Sequence, residues 1–199
     1  MKASQYIVAV TGASGAPYAR TLLDQLLRRE LPIHLVASKA GRLVYRLETG
    51  CDLREQFGDR VWFHDAADFT APIASGSFPA AAMVVVPCTM GTLAAIAQGI
   101  SSNLIHRAAD VCLKEGRKLL LVPRETPLSR IHLGNMQRAA EAGAVILPPM
   151  PGFYQRPRSV QDLVDFVVAR ILDQLGLVQD LIKPWDPETA LDPAAESKA

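Results

Sequence analysis

The chain has 199 residues, 49% of them hydrophobic and 21% charged, which suits one ordinary core and excludes disorder of the whole. A formal net charge of +1 gives no general attraction to nucleic acid or to a membrane surface. Cys51, Cys88 and Cys112 are widely spaced with no CxxC pair, no signal-peptide core precedes Thr11-Gly12, and no apolar run approaches a membrane span, so a soluble cytoplasmic protein without metal is expected.

Tyr6-Ile-Val-Ala-Val10 is an unbroken apolar run and predicts a strand buried on both faces. Thr11-Gly-Ala-Ser-Gly-Ala16 follows as a small-residue turn. Pro17 can open the next helix, since the first helical position needs no N–H. That helix, Tyr18–Arg29, carries Leu22, Leu23, Leu26 and Leu27 at core spacing. Ile33–Val36 predicts a second strand. Ser38 can cap the helix Lys39–Thr49, and Gly50 can end it. From Cys51 to Asp65 the periodicity is poor, with one short strand expected at Val61–Phe63. Asp68–Pro79 is a loop of small residues.

The stretch Pro87–Pro127 organises the rest. It leaves a buried strand, Ala82–Val86, through Pro87-Cys-Thr-Met-Gly-Thr92. It then crosses two helical segments and enters a second buried strand, Leu119–Val122, which ends in Pro123-Arg-Glu-Thr-Pro127. Beyond it the pattern predicts a helix at Ser129–Ala142, a strand at Val145–Leu147, a proline-rich loop at Pro148–Pro157 and a helix at Val160–Leu175. Strands and helices alternate, so parallel strands joined by right-handed crossovers are expected. The fold class is α/β: a Rossmann-like (flavodoxin-like), doubly wound, mostly parallel sheet with helices on both faces. One domain is expected over 1–184, with a polar C-terminal tail over 185–199.

In such sheets, ligands bind beyond the carboxyl ends of the strands. Two loops of Pro87–Pro127 are therefore candidate walls of one site. The turn Thr11–Ala16 presents backbone N–H groups at a helix start, an arrangement that suits an anion. It lacks the Walker lysine and full GxGxxG spacing, so a mononucleotide or flavin phosphate fits better than ATP. A plain tight turn is the alternative. Ser38 reads most economically as an N-cap. Glu48 lies late in its helix, where a carboxylate opposes the dipole, a weak hint of a role beside that of a solvated side chain. Thr89 to Thr92 offers hydroxyls and a glycine to a phosphate or a heterocycle edge, or simply a capped helix start.

Asn103, Arg107, Asp110 and Lys114 form a narrow polar stripe on a helix otherwise apolar; it faces either water or a wet pocket. Arg124-Glu125, between Pro123 and Pro127, joins a fork suited to phosphate with a carboxyl able to orient or donate, unless it is a surface ion pair. Tyr154 and Arg170, unaided, read as packing and as a snorkelling charge. His106 and His132 lack metal-like spacing and read as structural.

With these segments laid out, the chain resembles the flavin prenyltransferase family (UbiX type), formerly described as aromatic-acid decarboxylases. The likeness runs from about Tyr6 to Trp185. It is carried by TGASGA, the Ser38-Lys-Ala segment, PIASGSF, PCTMGTLAAIAQG, NLIHRAADVCLKE, LVPRETPLSRIHLGNM, PGFYQRP and DLVDFVVARILDQLG. The resemblance implies binding of reduced FMN and dimethylallyl monophosphate. It implies transfer of the dimethylallyl group to flavin N5 and ring closure at C6, without metal. It also implies delivery of prenylated FMN to a UbiD-type decarboxylase, and a homo-oligomer, commonly a dodecamer.

By matching position, Gly12, Ala13, Ser14, Ser38, Thr89, Met90, Gly91, Thr92 and Arg124 would hold FMN. Lys114, Tyr154 and Arg170 would grip the prenyl phosphate, with Arg107 and Glu125 close by. Ser14 and Glu48 would sit near N5, and Ser14, Glu48, Glu125 and Lys114 would be catalytic. One departure is Phe69, where family members carry Trp; a phenyl face is the weaker partner for an allylic cation. Met90 also stands where others carry a small or hydroxyl residue. An FMN-dependent cysteine decarboxylase would be expected to show a catalytic histidine near the first helices and an Asn-rich motif, and neither is evident. A non-catalytic flavin-storage protein would not need Lys114, Glu125, Tyr154 and Arg170 together.

Overall fold

The computed structural model describes residues 5–186. They fall into two compact units, one ending at Pro149 and one beginning at Met150. The first unit runs β1 (Gln5–Val10), α1 (Ala16–Arg28), β2 (Ile33–Ala37), α2 (Lys39–Thr49), α3 (Leu53–Phe57), β3 (Trp62–Asp65), β4 (Ala80–Cys88), α4 (Met90–Ala97), α5 (Leu104–Lys114), β5 (Lys118–Pro123), α6 (Arg130–Glu141) and β6 (Val145–Ile146). A single 3-10 turn, Pro72–Ala74, lies in the small-residue loop.

All strands pair in parallel, in the order β3-β2-β1-β4-β5-β6. The chain therefore starts mid-sheet, winds outward to β3, returns to lay β4 beside β1, and winds outward again to β6. The reversal opens a crevice past the carboxyl ends of β1 and β4, the place where such sheets bind ligands.

Side chains alternate across each strand, so two core layers follow from one set of apolar runs. Ile7, Ala9, Met83, Val85, Leu119 and Leu121 join one cluster with Leu93, Leu104, Ala108 and Cys112 of α4 and α5. The intervening Val8, Val84 and Leu120 are buried as well. On α1, Leu22, Leu23 and Leu26 are fully buried, and that helix packs on β4. Burying each such leucine stabilises the fold by roughly 1.5–3 kcal/mol. Burial also pushes the Cys88 thiol up to about 12 and the Cys112 thiol to about 11, so both behave as core hydrophobes.

Helix ends follow the expected chemistry. Ser38 accepts the Gly41 N–H at 2.9 Å and opens α2; Gly50, at φ 78°, closes it. Asn103 caps α5 by accepting the His106 N–H at 3.0 Å, so it belongs to a helix start rather than to a ligand stripe. His132 completes a capping box with Ser129, and the buried His106 bonds Ser102 at 2.9 Å. Both histidines are structural.

The differences from expectation have local causes. Helix α1 begins at Ala16, ahead of Pro17. The strand expected at 61–63 is Trp62–Asp65, that expected at 82–86 extends over Ala80–Cys88, and β6 stops at Ile146. Helix α3 has no periodic signal. It exists because Asp52 caps Arg54 N–H at 2.8 Å and holds the Arg42 guanidinium through both carboxylate oxygens, at 3.0 and 2.9 Å.

The second unit holds a 3-10 turn, Phe153–Gln155, and α7, Val160–Leu175. Ser159 and Asp162 form a capping box at the start of α7, and Gly176 ends it at φ 72°. Val164, Val167, Val168, Ile171 and Leu172 are buried, as the spacing predicts. Of the tail expected over 185–199, Trp185 and Asp186 are described, and 187–199 lie outside the described residues. No described helix is long and apolar enough to cross a membrane.

Candidate active site

Three strand ends meet at the reversal of the sheet. Thr11, directly after β1, donates its hydroxyl to the Pro87 carbonyl at 2.8 Å and accepts the Thr89 N–H at 2.8 Å. Thr89 opens α4, accepting the Thr92 N–H at 3.2 Å and pairing with the Thr92 hydroxyl at 3.0 Å. After β5, the Arg124 N–H donates to the Cys88 carbonyl at 3.2 Å, and its Nε donates to the Ser14 carbonyl at 3.2 Å.

Glu48 reaches this group from late in α2. Its Oε2 accepts the N–H groups of Gly15 at 2.9 Å and Ala16 at 2.7 Å. The unfavourable position at the end of α2 is thus exchanged for a favourable one at the start of α1, where the dipole welcomes an anion. Burial raises the Glu48 carboxyl. Hydrogen bonds from Ser14, Gly15 and Ala16, with the charge of Arg124, outweigh that and hold it below the ordinary glutamate value. Within the turn Thr11–Ala16, read from the sequence as suited to an anion, the amides of Gly15 and Ala16 receive the protein's own carboxylate.

Two glycines make the approach of α2 possible. A Cβ on Gly41 would lie 2.4 Å from the Val10 carbonyl oxygen, and one on Gly12 would lie 2.6 Å from Ala40 Cβ. Gly15 stands at φ 127°, which an L side chain rarely adopts. By contrast, Met90 is the first residue of α4 and is buried in the core cluster. Gly91 has open space where a Cβ would stand.

A second cationic group gathers around the small-residue loop. Arg107 Nε donates to the Ala74 carbonyl at 3.0 Å and its Nη1 pairs with Asp110 at 2.8 Å. Arg117 Nη2 donates to the Gly76 carbonyl at 2.6 Å. Lys114 pairs with its neighbour Glu115, and both ends lie where a Cβ on Gly76 would fall. The polar stripe of α5 thus faces a backbone loop, an alternative the spacing did not suggest. Phe69 is 48% exposed nearby in sequence. Glu125 is exposed, with Oε1 accepting the Thr126 N–H at 2.9 Å. Among the described residues, no hydrogen bond or ion pair joins Lys114 or Arg107 to Ser14, Glu48 or Arg124.

Within the second unit, the Tyr154 ring meets Phe166 and Trp185 edge-on at 5.8 and 5.0 Å. These rings, with Arg170, Asp173 and Lys183, border a cavity of about 570 Å³. Arg170 Nη1 pairs with Asp173 at 2.8 Å, beside Tyr154.

The Flavoprotein family model matches residues 1–172. A flavin prenyltransferase UbiX of Pseudomonas aeruginosa is 50% identical over 192 residues, covering 89% of this chain and 92% of the relative. The crystal structure of AnUbiX in complex with FMN and dimethylallyl pyrophosphate is 44% identical, with TM-score 0.90, over 93% of this chain and 98% of that one. A dodecameric FMN-dependent UbiX-like decarboxylase from Escherichia coli O157:H7 is 47% identical, with TM-score 0.89, over 92% and 99%. The chain belongs to the flavin prenyltransferase family.

The flavodoxin-like fold expected from the pattern is that of these flavin prenyltransferase relatives. The structure brings Ser14, Glu48 and Arg124 into contact, with the Thr89–Thr92 turn tied to them through Thr11. It sets Arg107 and Lys114 against the same small-residue loop, at Ala74 and Gly76, and lines one cavity with Tyr154 and Arg170. Sequence reasoning passed over Thr11, Arg117 and Phe166. Thr11 could have been noticed as the hydroxyl that directly follows a fully apolar strand. Nothing local marks Arg117 or Phe166.

Proposed function

We propose that the chain is a metal-independent flavin prenyltransferase. It moves a dimethylallyl group from dimethylallyl monophosphate to N5 of reduced FMN and then closes a ring at C6. The observation that carries this reading is the Glu48 carboxylate, seated on the Gly15 and Ala16 amides beside Ser14 and Arg124 at the sheet reversal. An ionised, oriented carboxylate there can take a proton, directly or through the Ser14 hydroxyl.

The donor chemistry of this crevice fits FMN. The hydroxyls of Ser14, Thr89 and Thr92 and the Arg124 guanidinium suit a phosphate and the polar edge of a ring. Ser38, with its hydroxyl engaged by Gly41, shapes the wall made by Gly12, Ala13 and the start of α2. Met90 and Gly91 contribute backbone in the α4 turn. Reduced flavin supplies an electron-rich nitrogen and a π face for an allylic cation.

The remaining residues act on the prenyl donor. Departure of its phosphate builds negative charge, which Lys114, Arg107 and Arg170 stabilise, with the Tyr154 hydroxyl as a donor. Glu125 orients the leaving phosphate or, as an acid, passes it a proton and is left as the carboxylate. Phe69 offers the cation a phenyl face. We further propose that the product passes to a UbiD-type decarboxylase, that the chain works in the cytoplasm, and that it assembles as a homo-oligomer, a dodecamer as in the E. coli neighbour.

The test is anaerobic incubation of the purified chain with reduced FMN and dimethylallyl monophosphate, followed by mass spectrometry of the released flavin. A flavin heavier by one dimethylallyl unit is expected. An unchanged FMN mass in folded protein that binds FMN refutes the reading.

A further inference from the structure

Thr11 carries none of the chemistry proposed above, yet it joins the strand ends that do. It is 2% exposed, so each polar atom needs a partner within the protein. Its one hydroxyl proton goes to the Pro87 carbonyl at 2.8 Å. Its oxygen then has only lone pairs left, and one receives the Thr89 N–H at 2.8 Å. Its own N–H also donates to Pro87, at 3.2 Å. Thr11 therefore holds the β4–α4 turn against β1 through three hydrogen bonds, two of them made by its hydroxyl.

The consequence reaches Ser14, Thr89, Thr92 and Arg124 together. Thr89 directs its hydroxyl to Thr92. Arg124 links the Cys88 carbonyl to the Ser14 carbonyl. The ends of β1, β4 and β5 are thus closed into a ring of hydrogen bonds, and Thr11 holds the β1–β4 side of it. We propose that Thr11 is a positioning residue for the flavin site, its hydroxyl setting the spacing between the Ser14 turn and the Thr89–Thr92 turn. The inference rests on the proposed function, because that reading makes these turns the flavin walls.

Valine has the shape of threonine without the hydroxyl. Thr11→Val orphans the Thr89 N–H and frees the turn to seek another acceptor. Thr11→Ser keeps both hydrogen bonds. A structural role alone would move the melting temperature but not the affinity of the folded protein for FMN.

The experiment titrates FMN into wild type, Thr11→Val and Thr11→Ser by fluorescence quenching, well below each melting temperature as set by circular dichroism. The expected Kd of Thr11→Val is higher by about tenfold or more, and that of Thr11→Ser stays within about threefold. Unchanged affinity in Thr11→Val, equal losses in both variants, or a Thr11→Val chain that cannot fold each overturn the inference. Absence of FMN binding by wild type refutes the functional reading itself and the inference with it; tight wild-type binding with an indifferent Thr11→Val refutes the inference alone.

Discussion

Glu48 accepts the Ala16 N–H at 2.7 Å, so a carboxylate from the end of one helix caps the beginning of another. The pairing keeps the carboxyl ionised and holds it beside Ser14 and Arg124. Glu48→Gln preserves much of the shape and removes the base. FMN affinity should change little, while single-turnover prenylation slows by about a hundredfold or more. Since the Glu48 pKa is lowered, the wild type stays ionised above the ordinary glutamate range, and the defect should be uniform between about pH 6 and 8. A Glu48→Gln rate equal to wild type would remove this residue from the chemistry.

Lys114 is proposed to act on the leaving phosphate and not on the flavin. Lys114→Met should lower kcat/KM for dimethylallyl monophosphate by about ten- to a hundredfold, the worth of one charged hydrogen bond. The Kd for FMN should remain that of wild type. Loss of both in parallel would place Lys114 at the flavin instead.

Phe69→Trp places an indole where the family resemblance leads one to expect it in this loop. Indole is the stronger cation partner, and a whole cation–π contact at an exposed site is worth about 0.5–1 kcal/mol. Steady-state kinetics should therefore show a higher rate, by at most about fivefold. A slower variant would mean that the pocket is shaped around phenyl.

Gly41 packs against the strand whose end forms the site. A Cβ there would stand 2.4 Å from the Val10 carbonyl oxygen, which is backbone and cannot swing away. Gly41→Ala should cost about 1–3 kcal/mol by forcing α2 off β1. Denaturant melts measure the loss, and weaker FMN binding should accompany it because the wall that the start of α2 shares with Gly12 moves with the helix. Wild-type stability in this variant would show that α2 gives way freely.

His34 is 5% exposed and sandwiched among Trp62, His64 and Phe78, with Gln5 Oε1 at 2.8 Å from Nε2 and His64 Nε2 at 2.8 Å from Nδ1. Burial, and then His64, lower its pKa to about 4. Asp68 is the acidic group acting on His64, whose own pKa is lowered by burial. Between about pH 6.5 and 4 the unfolded chain binds a proton at His34 that the folded chain refuses, so stability falls as pH falls through that window. Thermal melts across it should show a steady decline, and a flat melting temperature would contradict the assignment.

The sequence by itself determined most of the elements and their order, α3 excepted. Apolar runs of strand length, stripes of helical period and caps such as Ser38, Ser159 and Gly176 are local chemistry, and α2 and α7 are bounded by it residue for residue. The alternation of strands and helices left the sheet parallel and doubly wound. Motif matching named most of the candidate site.

Tertiary structure decided the partnerships. Glu48 and Ala16 are 32 residues apart, and Thr11 and Thr89 are 78 apart; no period or local spacing couples them. Their meeting follows from the strand order, which places β4 beside β1 and the start of α2 against the end of β1. The same packing filled the α1 amides with Glu48 where the motif alone suggested a phosphate. A helix N-terminus attracts any anion, and which one arrives depends on what the fold delivers.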